Sequence, residues 1–336
     1  MDFQLSDDQR ALRSAMRDLL GAVFDRERLR AAVERGGGVD RALWRELGAA
    51  GFFALRLPEE AGGVGLGLPE AVLLFEEAGR ALLPGPLVAT HLAAGLVKGA
   101  AEGEAVVTAA EGAGRPVADL GGADAVLAGG AQVLTGERLA AFVAGAVPVR
   151  SMDPLTPLHR AQGRSAGAGA SEAYPGALRR EGALLTAAEQ LGSAARTTER
   201  AVQHAGAREQ FGSLIGSFQA VKHLCADMLA RTEPARSAVY AAALTGDPVE
   251  IAAAKLLADE AAVRNARDCL QIHGGMGFTW ESDVHLHLKR AWLRAARWLT
   301  AAEAEEILAA DLGPVRLPHG SSAASGRRPD EAGGGA

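Results

Sequence analysis

Apolar positions along the first hundred residues recur at helical intervals. Ser6 and Gln9 stand three apart, as the partners of a capping box do, and Leu12, Met16, Leu19 and Val23 follow at steps of four, three and four. One helix face is therefore apolar. A second helix is predicted around Arg41 to Leu47, and a third from about Pro69 to Leu82, stopped by Pro84-Gly85-Pro86. Between them the stretch from Gly51 to Gly65 loses periodicity at Pro58 and its glycines. From about Gly103 to Arg180 the pattern changes to short apolar bursts at Ala105–Thr108, Ala125–Leu127, Gln132–Leu134 and Phe142-Val143, with glycines between them, which predicts short strands. Beyond Glu181 the helical pattern returns. Asp247-Pro248 with Glu250 marks a helix start, and Gly274-Gly275 marks its end. The reading is a mainly α protein with a small β middle domain: helical over 1–98, β over 99–180, a helical bundle over 181–312, and a tail over 313–336. That tail holds too little apolar surface to offset its ordering entropy and is expected to be disordered.

Composition narrows the class without naming it. The 336 residues are 48% hydrophobic with a net charge of −6, enough apolar material for two or three packed layers. Acidic residues outnumber basic ones, which argues against a nucleic-acid partner, although a local arginine can still hold an adenine nucleotide. Cys225 and Cys269 lie in helical stretches without a CxxC partner and read as small buried hydrophobes. The first residues lack the basic and apolar stretches of a secretory leader, and no apolar run approaches the roughly 20 residues of a membrane span. A cytoplasmic protein without a membrane partner is expected.

Two segments carry candidate chemistry: Arg208-Glu-Gln-Phe-Gly, running on to Gln219, and Gln271-Ile-His-Gly-Gly-Met-Gly-Phe-Thr-Trp-Glu281. Arg208 is expected on a helix that Gln-Phe-Gly interrupts or bends. Its guanidinium can clamp phosphate oxygens bidentately, Phe211 can lie against a base or a ribose, and the Gln219 amide can donate and accept. Gly274 and Gly275 allow backbone to approach a ligand closely. Taken alone, the first segment is also consistent with a surface ion pair and a core phenylalanine, and the second with a plain helix cap. His285 and His287 alternate with leucines, but on a helix they point about 200° apart, so no shared metal is expected. Glu59 and Glu60 read as solvated loop acids, and the glycines after them lack the Gly-Lys-Ser/Thr of a phosphate loop.

Together the two segments resemble the C-terminal signature of the acyl-CoA dehydrogenase family. That resemblance implies an N-terminal helical domain, a β middle domain and a C-terminal four-helix bundle. It implies FAD, with Arg208, Phe211, Gln219, Gln271, Gly274 and Gly275 around its pyrophosphate and adenine across a subunit interface. It also implies α,β-dehydrogenation of an acyl-CoA substrate, with an electron-transfer flavoprotein as the usual acceptor. The run Phe278 to Arg290 is similar to an actinobacterial branch acting on steroid side-chain and related CoA thioesters, with Ser282 where that branch carries histidine.

The chain also departs from the pattern. The family's reaction needs a desolvated carboxylate to take the α-proton. Counting without gaps from Gln271 places the usual glutamate at Trp298, and counting back from Arg208 places the alternative one at Gly182. Glu181 is one residue away and is the candidate base, although one residue on a helix is about 100° of rotation and a solvated helix-start acid is the plainer reading. Glu303, Glu305 and Glu306 read as an exposed helix face. The middle domain is short, Val107 to Arg115 lacks the family's ring-holding loop, and no tryptophan lies between Trp44 and Trp280. The expected protein is therefore a subunit that gives the adenine half of an FAD site in trans to a homologous catalytic partner, as in an α2β2 heterotetramer. The rivals are a homo-oligomeric dehydrogenase using Glu181 and a flavin-free structural relic.

Overall fold

The computed structural model describes residues 4–112, 114–128, 132–161 and 176–313. The chain opens with α1 (Asp7–Val23), α2 (Arg26–Glu34), α3 (Arg41–Ala49), α4 (Leu68–Arg80) and α5 (Leu87–Leu92). Each start has a local cause. Ser6 and Gln9 form the capping box of α1, Asp25 caps α2, Asp40 caps α3, and Pro69 stands in the first turn of α4.

The middle segment holds β1 (Val107–Ala109), β2 (Val117–Ala118), β3 (Ala125–Ala128), β4 (Gln132–Leu134), α6 (Gly136–Ala144), β5 (Ala146–Val149) and β6 (Leu158–Ala161). One sheet runs β1-β3-β4, with β1 parallel to β3 in the register Val107 to Ala125 and β4 antiparallel to β3. The other runs β2-β6-β5 and is antiparallel throughout, with Val117 opposite His159. Phe142-Val143, expected as a strand, lies in α6 instead. With Leu139 these residues have helical spacing, and Phe142 is buried on a small cluster with Val117, Leu120 and Val126.

The carboxyl half is α7 (Gly176–Ala207), α8 (Gln219–Thr245), α9 (Pro248–His273), α10 (Val284–Ala295) and α11 (Ala301–Leu312), with a two-stranded ribbon, β7 (Glu209–Gln210) and β8 (Ser213–Leu214), between α7 and α8. Helices α7, α8 and α10 pack around α9, and α11 also lies against it. As expected, Asp247 caps α9, Pro248 opens it and Gly274 ends it. The expected disordered tail falls, from residue 314 onward, outside the described residues.

The amino-terminal helices and the bundle share one core. Trp44, Phe53, Phe52 and Phe75 meet in that order, tilted or edge-on, with ring centroids 4.9–5.3 Å apart, and His91 meets Phe75 edge-on with its imidazole pushed down to about 4 by burial. Helix α4 crosses α7 at backbone contact: a Cβ on Gly79 would stand 2.0 Å from the Glu189 carbonyl oxygen, and one on Gly192 1.9 Å from that of Glu76. Charged groups buried beside this crossing are paired, Glu77 with Arg17 and Arg80, Glu189 with Arg294, and Glu76 with Arg236 and the Tyr240 hydroxyl.

Candidate cofactor site

The two sequence segments meet at one end of the bundle. Helix α7 stops at Ala207, so Arg208 is the residue after a helix rather than within one, and the expected bend is a tight hairpin. Phe211 and Gly212 form its turn, both left-handed with φ of 55° and 74°. A turn of that kind follows the twist of the ribbon, and only its second position here is the residue that adopts it without strain. Ile215, just after the ribbon, shares a hydrophobic cluster with Ala201 and Ala205 of α7, Val221 of α8 and Leu270 and Ile272 of α9. The last turns of α7 and α9 also touch directly, His204 stacking on His273 with centroids 4.1 Å apart and planes 17° apart. Burial first, and then the His273 ring and Arg208 for His204 and Arg200 for His273, push both imidazoles below their ordinary value.

The side chains on this end face outward. Arg208, Gln219 and Gln271 are exposed, and none of the three side chains has a hydrogen bond or ion pair among the described residues. Phe211 is 94% exposed, and Met276 and Phe278 beside the helix end are 65% and 70% exposed. At Gly274, with φ of 61°, and at Gly275 an added Cβ would meet nothing within 4 Å, so the backbone after α9 is open to a ligand. A free guanidinium, two free amides, accessible backbone and apolar rings together suit an anionic group joined to a flat heterocycle. These residues fit the diphosphate and adenine of FAD.

The opposite end of α7, around Arg179 and Gly182, is closed. Glu111, in the segment comparable with the family's ring-holding loop, is buried and accepts from the Arg297 guanidinium and, at 2.5 Å, from the Trp298 backbone N–H. Arg115 reaches Glu303 at 2.9 Å, and Arg179 holds Glu303 and donates at 2.7 Å to the Trp298 carbonyl. The middle segment is thereby clasped to the turn before α11. Within the clasp, a Cβ on Gly182 would stand 2.3 Å from Cδ2 of Trp298, whose indole is 2% exposed. The two positions where a family base is expected by counting are in contact with each other, and neither carries a carboxylate. Among the described residues, this end does not fit a flavin ring and an acyl chain. Beside Trp298 lies a chamber of about 40 Å³, with Thr186, Glu189, Arg290 and Arg294 on its wall, room for water rather than a thioester.

Asp119 also lines that chamber, and the sequence reading missed it. It is buried in a left-handed conformation with φ of 53°, and burial pushes its carboxyl up to about 7 against the pull of Arg290 and Arg297. No local pattern marks it, since its environment is assembled from β6-side, α7 and α10 residues distant in sequence.

Glu181 and Glu303 are placed differently from the sequence expectation. Rather than a solvated acid, Glu181 is a half-buried partner of Arg56, at 2.7 and 3.4 Å. Glu303, expected on an exposed face, closes the α11 capping box with Thr300 and anchors the clasp. Burial raises its carboxyl, but the Thr300 N–H and hydroxyl, then Arg115 and Arg179, outweigh it and hold the pKa at about 2, against an ordinary 4.5. A depressed carboxylate contributes stability that is whole above its unfolded value and lost as pH falls through its folded value. Glu303→Gln is therefore expected to flatten the acid limb of a stability profile between pH about 4.5 and 2, measured by urea unfolding; an unchanged limb would refute the clasp.

His285 stacks on Trp280 at 5.2 Å, while His287, one position beyond the next leucine, is buried with Nδ1 2.7 Å from Ser193 Oγ. The two imidazoles thus lie in different surroundings. Cys225 is half-buried, and Cys269 is buried with its thiol pushed up to about 12.

Comparison with known proteins follows the same division. Residues 6–102 match the acyl-CoA dehydrogenase N-terminal domain, and residues 179–308 match the acyl-CoA dehydrogenase C-terminal domain. The chain is 38% identical over 299 residues to acyl-CoA dehydrogenase IpdE2 of Mycobacterium tuberculosis, covering 85% of this chain and 91% of that one. It belongs to the acyl-CoA dehydrogenase family. That makes it an oxidoreductase of the class acting on CH–CH groups, a family whose cofactor is FAD. Acyl-CoA dehydrogenase FadE34 of Mycobacterium tuberculosis is 36% identical over 318 residues, covering 82% of this chain but 44% of that one. Among solved structures, the ChsE4-ChsE5 complex from Mycobacterium tuberculosis superposes with a TM-score of 0.74 at 23% identity, over 95% of this chain and all of the matched chain. The acyl-CoA dehydrogenase fold is thus present, and no helix among the described residues is long and apolar enough to cross a membrane.

Proposed function

We propose that this acyl-CoA dehydrogenase chain is a half-site subunit of a heteromeric, cytoplasmic enzyme, holding the adenine and diphosphate of FAD for a homologous partner that supplies the flavin-ring pocket and the base. The six residues Arg208, Phe211, Gln219, Gln271, Gly274 and Gly275 are assigned to that half of the cofactor. Bound there, FAD would supply the hydride-accepting chemistry for α,β-dehydrogenation of a CoA thioester. This chain's own part is to bind and orient, because the observation that carries the reading is the contact of Trp298 with Gly182 where a carboxylate would have to stand. A tryptophan cannot accept the α-proton. FadE34 supports the reading from another side, since a segment like this chain makes up less than half of that polypeptide. The electron acceptor is assigned as an electron-transfer flavoprotein, and the assembly as α2β2.

Flavin absorbance tests this. The chain purified alone is expected to be colourless, and yellow only after co-expression with a homologous acyl-CoA dehydrogenase chain from the same organism, with FAD stoichiometric to the pair. Stoichiometric FAD in the chain alone would sink the proposal and return attention to Glu181 freed from Arg56. A chain that stays colourless with every homologous partner would leave the flavin-free relic.

A further inference from the structure

A second opening lies apart from both the cofactor end and the closed clasp. It is a cavity of about 340 Å³ bounded by α1 and the start of α2 on one side and by α4, α7 and α10 on the other. Five guanidinium groups line it against three carboxylates, and one of those, Asp25, is already occupied as the cap of α2.

The remaining acids are oversubscribed. Glu77 serves both Arg17 and Arg80, Glu199 just outside the lining serves both Arg80 and Arg196, and Asp283 serves Arg26, Arg30 and Arg200. Around Asp283 only Arg26 is at hydrogen-bond distance, at 2.7 Å; Arg30 and Arg200 stand off at 3.6 and 3.7 Å. The Asp283 carboxyl is 2% exposed, and its Oδ1 and the Arg30 terminal nitrogen are buried without a hydrogen bond. Arg200 makes no hydrogen bond from its guanidinium to any described residue, and burial lowers its pKa although Asp283 opposes the shift. An excess of guanidinium charge that is partly withdrawn from water is unfavourable unless another anion completes it. Leu20, Phe24, Leu29 and Leu82 supply an apolar wall opposite these cations. The volume falls at the small end of the roughly 300–1,000 Å³ typical of small-ligand pockets.

We propose that this cavity binds an organic oxyanion, a carboxylate or a phosphate monoester on a small apolar body, with Arg196 and Arg200 on the charged end and Leu20, Phe24 and Leu29 on the body. It is a site separate from the FAD half-site and does not depend on that reading.

Isothermal titration of the full chain with phenyl phosphate and with benzoate, at ionic strength held constant with chloride, tests it. One-to-one saturable binding is expected for at least one probe; tighter phenyl phosphate assigns the phosphate monoester, and tighter benzoate the carboxylate. Arg200→Gln is expected to weaken binding by about tenfold or more, the scale of losing a charge-assisted fork. Gly21→Leu is the independent variant: Gly21 lines the cavity, a Cβ there meets nothing within 4 Å, and leucine favours the helix, so the fold should survive while the cavity fills. Arg264→Gln, whose exposed pair with Glu260 is on α9, is expected to leave binding unchanged. Absence of saturable binding by either probe overturns the proposal. So does binding that survives both cavity variants, or displacement of the probe by ADP, which would give these arginines to the cofactor.

Discussion

Trp298→Ala is expected to cost the fold about 3–5 kcal/mol, at the upper end for core truncations. The indole is 2% exposed and fills the space left by Gly182, so alanine leaves a cavity bounded by the rigid backbone of α7, which cannot collapse into it. The backbone stays held, because Glu111 accepts from the Trp298 N–H and Arg179 donates to its carbonyl whatever the side chain is. Urea unfolding measures the effect as a fall in midpoint at unchanged slope. A loss below about 1 kcal/mol would show that the indole is not packed as described. Trp298→Phe then separates packing from chemistry. It keeps most of the buried ring and, on the half-site proposal in which the partner supplies the base, is expected to leave kcat of the complex at the wild-type value. A large fall in kcat with stability retained would place Trp298 among the substrate contacts and defeat the half-site reading.

Arg208→Ala is expected to do the reverse, leaving stability within about 0.5 kcal/mol, as for an unpartnered surface residue. FAD retention by the complex should fall about tenfold to a hundredfold, the scale of hydrogen bonds to a charged group. The reason is that the guanidinium has no hydrogen-bond or ion-pair partner among the described residues and is exposed at the end of α7. Arg208→Lys should recover little of the loss, because an ammonium cannot form two parallel bonds to a diphosphate. Equilibrium dialysis of the complex against FAD, paired with thermal unfolding, checks both halves. An Arg208→Ala complex that keeps its flavin would remove this arginine from the cofactor site.

Much of the cofactor end was legible in the sequence because its determinants are local. The Asp247 cap, the Pro248 start and the Gly274 stop of α9 are each set within one helical turn, and they place Gln271 and the glycines at a helix end with no help from distant residues. The sequence predicts a bend in a helix at Arg208 rather than a hairpin because Phe211 is not a residue that announces a left-handed turn; Gly212 alone carries that signal. The sequence predicts a strand at Phe142-Val143 because a short apolar burst does not distinguish the two periods, and packing onto Val117, Leu120 and Val126 decides for α6.

What the sequence by itself determined is the family, the order of helical and strand-bearing segments, and the loss of a carboxylate from both positions where a base is expected. Each of these depends on residue identity or short-range spacing, which the chain carries wherever it folds. Only the tertiary structure decided that Trp298 packs on Gly182, that Glu111, Arg115, Arg179 and Glu303 clasp the middle segment to α11, and that Glu181 is committed to Arg56. It also decided that arginines from α1, α2, α4 and α7 converge on too few acids around one cavity. Those partners come from segments far apart along the chain, and side-chain pairing at such separations is set by how the elements pack, which no local pattern of residues encodes.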